Sequence, residues 1–139
     1  MNKLVSSRAI PQTYLRISIT DRCNLRCGYC MPPEGRRLVS HDELLHYEET
    51  LRLVTILASM GIRKVRVTGG EPLVRKGIAG LLKGISSVSG VNELCITTNG
   101  TLLAGLASAI KDAGVSRVNV SLDSFRPGTF SGITRGGEL

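Results

Sequence analysis

Aromatic residues are scarce in this 139-residue chain, which has no tryptophan, three tyrosines and two phenylalanines. Aliphatic side chains must therefore fill most of any hydrophobic core. No apolar run reaches membrane-spanning length, and the amino-terminal residues lack the apolar segment of a secretory signal. Low-complexity segments are also missing, and 42% of the residues are hydrophobic. These features predict one folded domain in the cytoplasm, with no membrane partner.

Disulfides are not expected, because the cytoplasm keeps thiols reduced. Three of the four cysteines nevertheless lie within eight residues, as Cys23, Cys27 and Cys30. Clustered thiols in a reducing compartment indicate metal ligands or reactive groups. The fourth, Cys95, lies in a predicted strand, where a small buried apolar residue is expected rather than a ligand.

Acidic residues are few near the amino terminus. Residues 1–40 have seven bases against two acids, and so contribute +5 of the net charge of +7. The bases are Lys3, Arg8, Arg16, Arg22, Arg26, Arg36 and Arg37. Basic surroundings would lower the pKa of a nearby thiol and attract an anionic substrate, although a solvated basic surface is the alternative. No nucleic-acid partner is expected, because stacking aromatics are not interleaved with these bases.

Hydrophobic periodicity predicts four strands that alternate with three helices. The predicted strands cover residues 14–19, 62–67, 93–97 and 115–122. The predicted helices run from Ser40 to Gly61, past Pro72 through Val88, and from Leu103 to Ala113. Ser40 and Glu43 form the sequence pattern of a capping box at the start of the first helix. No closing helix is expected after the fourth strand.

The β-α-β-α-β-α-β order predicts an α/β fold with a parallel sheet. In such folds, functional residues collect at the carboxyl ends of the strands. The cysteine loop follows the first strand, and the glycine-rich TGGEP segment follows the second. Polar clusters at 97–100 and 121–124 follow the third and fourth strands. The sequence therefore predicts one site built from four strand ends.

The spacing C-x3-C-x2-C supplies three sulfur ligands in one compact loop. Three cysteines around a 4Fe-4S cubane leave one iron open, whereas an electron-transfer cluster normally has cysteine on every iron. Zinc is an alternative, but it would normally need a fourth ligand, and neither His41 nor Cys95 has a zinc-knuckle spacing. A metal-free surface thiol cluster is a third possibility.

CNLRCGYC resembles the cluster motif of the radical S-adenosylmethionine (SAM) superfamily, and VTGGEP resembles that superfamily's glycine-rich segment. More narrowly, TDRCNLRCGYCMPPEG, KVRVTGGEPLVR, ITTNGTLL and VNVSLDS are similar to the GTP 3′,8-cyclase family of molybdenum cofactor biosynthesis. The resemblance spans 14–137. It implies an incomplete TIM-like barrel of about four parallel strands, with 1–139 as the amino-terminal portion of a radical SAM core domain.

The resemblance also implies roles for individual residues. Cys23, Cys27 and Cys30 would bind a 4Fe-4S cluster; Tyr29, Gly70 and Ser121 would contact SAM; Arg16, Arg66 and Thr97 would contact GTP. The implied reaction converts GTP to (8S)-3′,8-cyclo-7,8-dihydroguanosine 5′-triphosphate, beginning with removal of the hydrogen at the ribose 3′ position.

The residues also allow simpler roles. Arg16 and Arg66 could point to solvent or pair with carboxylates, and Glu71 could cap the following helix. Thr97 and Ser121 could satisfy backbone groups at strand ends.

Members of the cyclase family are longer, and they carry a second three-cysteine cluster that binds the GTP base. This sequence has no second triplet. We therefore expect a truncated chain that does not convert GTP alone. Its expected partner is a second copy in a homodimer or another polypeptide that supplies the missing half. The alternative function is a non-catalytic iron-sulfur or zinc-binding fragment that acts as an interaction module.

Overall fold

The structure, a computed structural model, describes residues 12–139. Lys3 and Arg8 of the basic segment lie outside the described residues, as does the side chain of His41. The strands are β1 (Tyr14–Ser18), β2 (Lys64–Thr68), β3 (Glu93–Thr98) and β4 (Arg117–Val120). The α-helices are α1 (Tyr47–Ser59), α2 (Ile78–Ser86), α3 (Leu103–Asp112) and α4 (Pro127–Thr134). Short 3-10 turns cover His41–Glu43 and Pro72–Val74.

The four strands form one parallel sheet in the order β1-β2-β3-β4. A doubly wound sheet reverses its strand order and places helices on both faces. A sequential order lets successive crossover helices cover one face, as in a barrel. The predicted α/β fold with four parallel strands is therefore confirmed.

Aliphatic side chains from alternate strand positions form the core with α1, α2 and α3. Val65, Val67 and Ile96 are fully buried on that face. They belong to one cluster with residues from all three helices, including Val54, Leu82 and Ile110. The opposite face of the sheet is thus free of these helices. Because side chains alternate along a strand, Arg16, Arg66 and Thr97 lie on that helix-free face.

The first helix begins at Tyr47, so the prediction that it begins at Ser40 was wrong. The Ser40 amide and hydroxyl both bind the Glu43 carboxylate at 2.9 Å, but they close only a 3-10 turn. The Leu45 carbonyl accepts from Arg75 Nη2 at 2.7 Å. His46 is extended, and its amide donates to the Glu49 carboxylate at 2.7 Å, so the cap of α1 lies six residues after Ser40.

The second helix also begins later than predicted. Glu71 and Pro72 open a separate 3-10 turn, and Gly77, with φ of 78°, precedes α2. All four strands begin and end within two residues of their predicted bounds, and β4 is four residues shorter than predicted. All four β4 residues are exposed at the edge of the sheet.

The expectation of no closing helix was wrong. Pro127, favourable in the first turn because it needs no amide donor, begins α4. This helix buries Phe130 and Thr134. Among residues 12–139, no helix combines the length and the apolar character needed to cross a bilayer.

Candidate functional site

A pocket of about 250 Å³ lies where β1 and β2 end. Cys23, Cys27 and Cys30 all line it, together with Gly69 and Gly70. The fold therefore brings the three predicted sulfur ligands to the glycine-rich segment.

The cysteine loop is held partly by its own backbone. The amides of Cys30 and Met31 both donate to the Cys27 carbonyl at 2.9 Å, which makes a tight turn around two of the cysteines. The Leu25 amide donates to Cys23 Sγ at 3.4 Å, and the Leu25 side chain is buried. One apolar anchor and local turns thus shape a segment that has no helix or strand.

Two glycines let this loop lie directly against the end of β2. The Gly70 amide donates to the Thr20 carbonyl at 2.7 Å, and the Glu71 amide donates to the Arg22 carbonyl at 2.8 Å. A Cβ on Gly69 would lie 2.7 Å from the Thr20 oxygen, and one on Gly70 would overlap the Arg22 carbonyl. Only glycine permits this backbone approach.

Glu71 joins β2 to β3 through a buried carboxylate. It accepts hydrogen bonds from the Leu73 amide at 3.0 Å, the Thr98 hydroxyl at 2.8 Å and the Asn99 amide at 2.6 Å. The first bond is the helix cap considered from the sequence. The other two could not be foreseen, because they connect residues that are more than 25 positions apart.

A ring of polar side chains joins the cysteine loop to the turn after β3. Asn24 Nδ2 donates to Thr101 Oγ1 at 2.8 Å, and Thr101 Oγ1 donates to Asn99 Oδ1 at 2.8 Å. Asn99 Nδ2 completes the ring by donating to Asn24 Oδ1 at 2.9 Å. Sequence reasoning gave these residues no role, although Asn99 lies in the polar cluster after the third strand.

Tyr29 and Ser121 make different contacts near the ends of β3 and β4. The Tyr29 hydroxyl donates to the Asp123 carboxylate, with both oxygens at 3.1 Å. Desolvation of the hydroxyl and this carboxylate raise the pKa of Tyr29 above its ordinary value, so the phenol stays protonated. The Ser121 amide donates to the Thr98 carbonyl at 2.8 Å, and its side chain is exposed.

The three predicted GTP contacts lie on adjacent strands. Arg16 pairs in register with Arg66, and Arg66 Nη1 donates to Thr97 Oγ1 at 3.3 Å. Within the described part of the chain, neither arginine takes part in an ion pair, so carboxylate pairing does not account for them. Arg66 Nε is buried without a hydrogen-bond partner. Such an atom costs about 1–3 kcal/mol and favours a site that a ligand completes.

The fourth cysteine lies apart from the pocket. Cys95 is fully buried in β3, as predicted for a small apolar residue, and its thiol donates to the Glu93 carboxylate at 3.4 Å. Burial raises the pKa of the Cys27 thiol, and a hydrogen bond with Tyr29 opposes that shift.

Over residues 12–139, no three Cys, His, Asp or Glu side chains approach closely enough to hold a metal ion as they stand. This result gives no support to a preformed mononuclear zinc site. Cysteines that bind different irons of a cubane need not converge on one ion, so the three pocket thiols match the donor set of a cluster.

The sequence model of the Radical SAM superfamily matches residues 17–138. The chain belongs to this superfamily. This radical SAM protein is 57% identical to the GTP 3′,8-cyclase of Desulforamulus reducens over 126 residues. The alignment covers 91% of this chain and 39% of the relative. It is 50% identical to the GTP 3′,8-cyclase of Geobacter sulfurreducens, over 99% of this chain and 42% of the relative. The chain thus spans about two fifths of the length of these curated relatives.

Solved structures share the fold at low sequence identity. SuiB of Streptococcus suis matches with a TM-score of 0.67 and 20% identity, covering 89% of this chain and 27% of SuiB. A structure of SuiB bound to S-adenosylmethionine matches with a TM-score of 0.64. These similarities agree with the partial, TIM-barrel-like sheet described above.

Proposed function

We propose that this chain is the cluster-binding and SAM-binding portion of a GTP 3′,8-cyclase. The observation that carries the proposal is the pocket in which Cys23, Cys27 and Cys30 meet the glycine-rich segment. Sequence identity of 50–57% to proteins named GTP 3′,8-cyclase supports the narrower assignment. Because the chain spans about two fifths of those relatives, turnover of GTP by the isolated chain is not part of the proposal.

The three cysteines would each bind one iron of a 4Fe-4S cluster and leave the fourth iron open. Held by these cysteines and reduced, such a cluster would supply the one electron that cleaves SAM to methionine and a 5′-deoxyadenosyl radical. The chain's own contribution is to hold the loop: Gly70 and Glu71 fix its backbone against β2, and Leu25 anchors it in the interior. A positioned loop keeps the sulfur ligands at one end of the sheet.

Tyr29, Gly70 and Ser121 would contact SAM. Gly70 lines the same pocket as the cysteines, which supports its role most directly. Tyr29 is exposed and bound to Asp123, so its ring lies between the cysteine loop and the end of β4. Ser121 follows β4, at the same carboxyl edge of the sheet as the cysteine loop.

Arg16, Arg66 and Thr97 would contact GTP on the helix-free face of the sheet. Guanidinium groups bind phosphate through two parallel hydrogen bonds, and the register of Arg16 with Arg66 puts two such groups on adjacent strands. The free Arg66 Nε gives this face a donor that a nucleotide oxygen could satisfy.

Metal content of cysteine variants tests the cluster assignment. After anaerobic reconstitution with iron and sulfide, we expect Cys23→Ser, Cys27→Ser and Cys30→Ser each to lose most of the iron held by the wild type. Cys95→Ser is the matched control, because Cys95 is buried in β3 outside the pocket. A wild-type chain that binds one zinc and no iron would contradict the proposal and favour the metal-binding fragment.

Nucleotide binding tests the substrate assignment separately. We expect GTP to bind the reconstituted chain more weakly when Arg66 is replaced by Met. Arg52 is exposed on α1, so Arg52→Met is a charge-matched control that should leave binding unchanged. Equal affinities for all three proteins would remove Arg66 from the proposed site.

A further inference from the structure

The amide of Asn99 has a fixed orientation. Its Oδ1 accepts from both the amide and the hydroxyl of Thr101, at 3.0 and 2.8 Å. Two donors on one side identify that atom as the oxygen, so the NH₂ group must face the other way. The backbone amide of Asn99 donates to Glu71 at 2.6 Å, which fixes the residue itself.

The NH₂ group of Asn99 has two hydrogens and two partners. One partner is Asn24 Oδ1 at 2.9 Å, and the other is Cys23 Sγ at 3.9 Å. Cys23 Sγ also accepts from the Leu25 amide at 3.4 Å. Leu25 donates through its backbone amide, which a side-chain substitution does not remove. Asn99 donates through its side chain, so a substitution can remove that hydrogen bond to Cys23 Sγ.

We propose that Asn99 is a positioning residue for the cluster and raises its reduction potential by donating a hydrogen bond to the Cys23 sulfur. The inference rests on the proposed function, because it requires a cluster ligated by Cys23. A reduced cluster carries one more negative charge than an oxidised one, and its sulfurs are correspondingly better acceptors. Hydrogen bonds to cluster sulfurs therefore stabilise the reduced form more and are among the factors that set the potential.

The ring with Asn24 and Thr101 explains how one amide can hold this position in an exposed turn. Each of the three side chains has a partner within the ring, so none is free to turn the Asn99 amide away from the sulfur. Because Asn24 directly follows Cys23, the ring also ties the first ligand of the loop to the end of β3.

An anaerobic redox titration of the reconstituted chain, followed by electron paramagnetic resonance (EPR), tests the inference. We expect Asn99→Leu to lower the ratio of reduced to oxidised cluster about tenfold at a fixed solution potential, which equals a downward shift of about 59 mV for one electron. Asn92→Leu is the matched control. Asn92 is exposed just before β3, at the opposite end of the strand, and its variant should titrate like the wild type.

The outcomes separate this inference from the proposed function. Asn99→Leu with a full cluster and a wild-type potential would overturn the inference alone. If Asn99→Leu does not load, Asn99→Ser decides, because its hydroxyl can still accept from the Thr101 amide but supplies no NH₂ group to Cys23. A lowered potential in Asn99→Ser supports the inference, and an unchanged one overturns it. A wild-type chain that takes up no iron would refute the proposed function and the inference with it.

Discussion

Replacing Gly70 with Ala tests whether close backbone contact holds the cysteine loop in place. An added Cβ would overlap the Arg22 carbonyl and lie 2.9 Å from the Asp21 carbonyl, both of which are backbone atoms that cannot rotate away. The change would disturb the bonds from Gly70 to Thr20 and from Glu71 to Arg22. At about 1 kcal/mol for each bond and about 1–3 kcal/mol for the overlap, the docked loop loses about 3–5 kcal/mol.

Since 1.4 kcal/mol is tenfold, a loss of about 3 kcal/mol lowers the ratio of docked to undocked loop about 100-fold. We expect Gly70→Ala to hold little iron after reconstitution, as measured by iron content per chain. Its helical circular dichroism should persist, because the core cluster of α1, α2 and α3 lies on the other face of the sheet.

Gly80→Ala is the matched control. Gly80 lies in α2 with open space where its Cβ would be, so alanine there should leave iron content unchanged and stabilise the helix by up to about 1 kcal/mol. Wild-type iron content in Gly70→Ala would refute the reasoning, since it would show that the loop does not need this contact.

Two further predictions concern buried and surface carboxylates. Glu71→Gln replaces one carboxylate oxygen, which accepts hydrogen bonds, with an NH₂ group, which faces donors and cannot accept from them. The free energy of unfolding in urea should therefore fall by about 1–3 kcal/mol. An unchanged midpoint would show that the bonds from Leu73, Thr98 and Asn99 contribute little. The hydrogen bond from Lys64 lowers the pKa of Glu93 from its ordinary value of 4.5, so its contribution to stability is present above that value and is lost as the pH falls through the lower folded pKa. The stability difference between wild type and Glu93→Gln should therefore shrink in thermal melts as the pH falls below 4.5, and a constant difference would contradict the lowered pKa.

The parts of the fold that follow from local pattern were predictable. The alternation of Val65 and Val67 with polar neighbours predicted β2, and similar patterns predicted the other strands. The loop ligands were predictable because their spacing carries the chemistry within eight residues. Parallel topology then predicted that the strand ends would meet.

Features that depend on distant contacts were not predictable in this way. The predicted start of α1 was wrong because Ser40 with Glu43 and His46 with Glu49 both form capping pairs, and only the second pair begins the helix. Arg75, 30 residues away, binds the Leu45 carbonyl between the two pairs. The prediction of no closing helix was wrong because α4 is stabilised by the burial of its Phe130 side chain and by contacts with the cysteine loop. There the Arg26 and Gly28 amides donate to α4 carbonyls at 3.2 and 2.9 Å.

The site shows the same division. Gly70 was selected from a motif, but its visible contact is with the loop backbone, and its contact with SAM stays a prediction. Asn24 and Asn99 were not selected, because a bond that spans 75 residues leaves no local signal. Only the folded chain brings the Asn99 amide to the Cys23 sulfur.

The central claim is that the cysteine loop holds a cluster with one iron open to an exogenous ligand. The most direct test is the EPR spectrum of the reconstituted, dithionite-reduced chain recorded with and without SAM. The account predicts a 4Fe-4S signal whose g-values change when SAM is added, because SAM binds the open iron. A cluster signal that SAM leaves unaltered would contradict it.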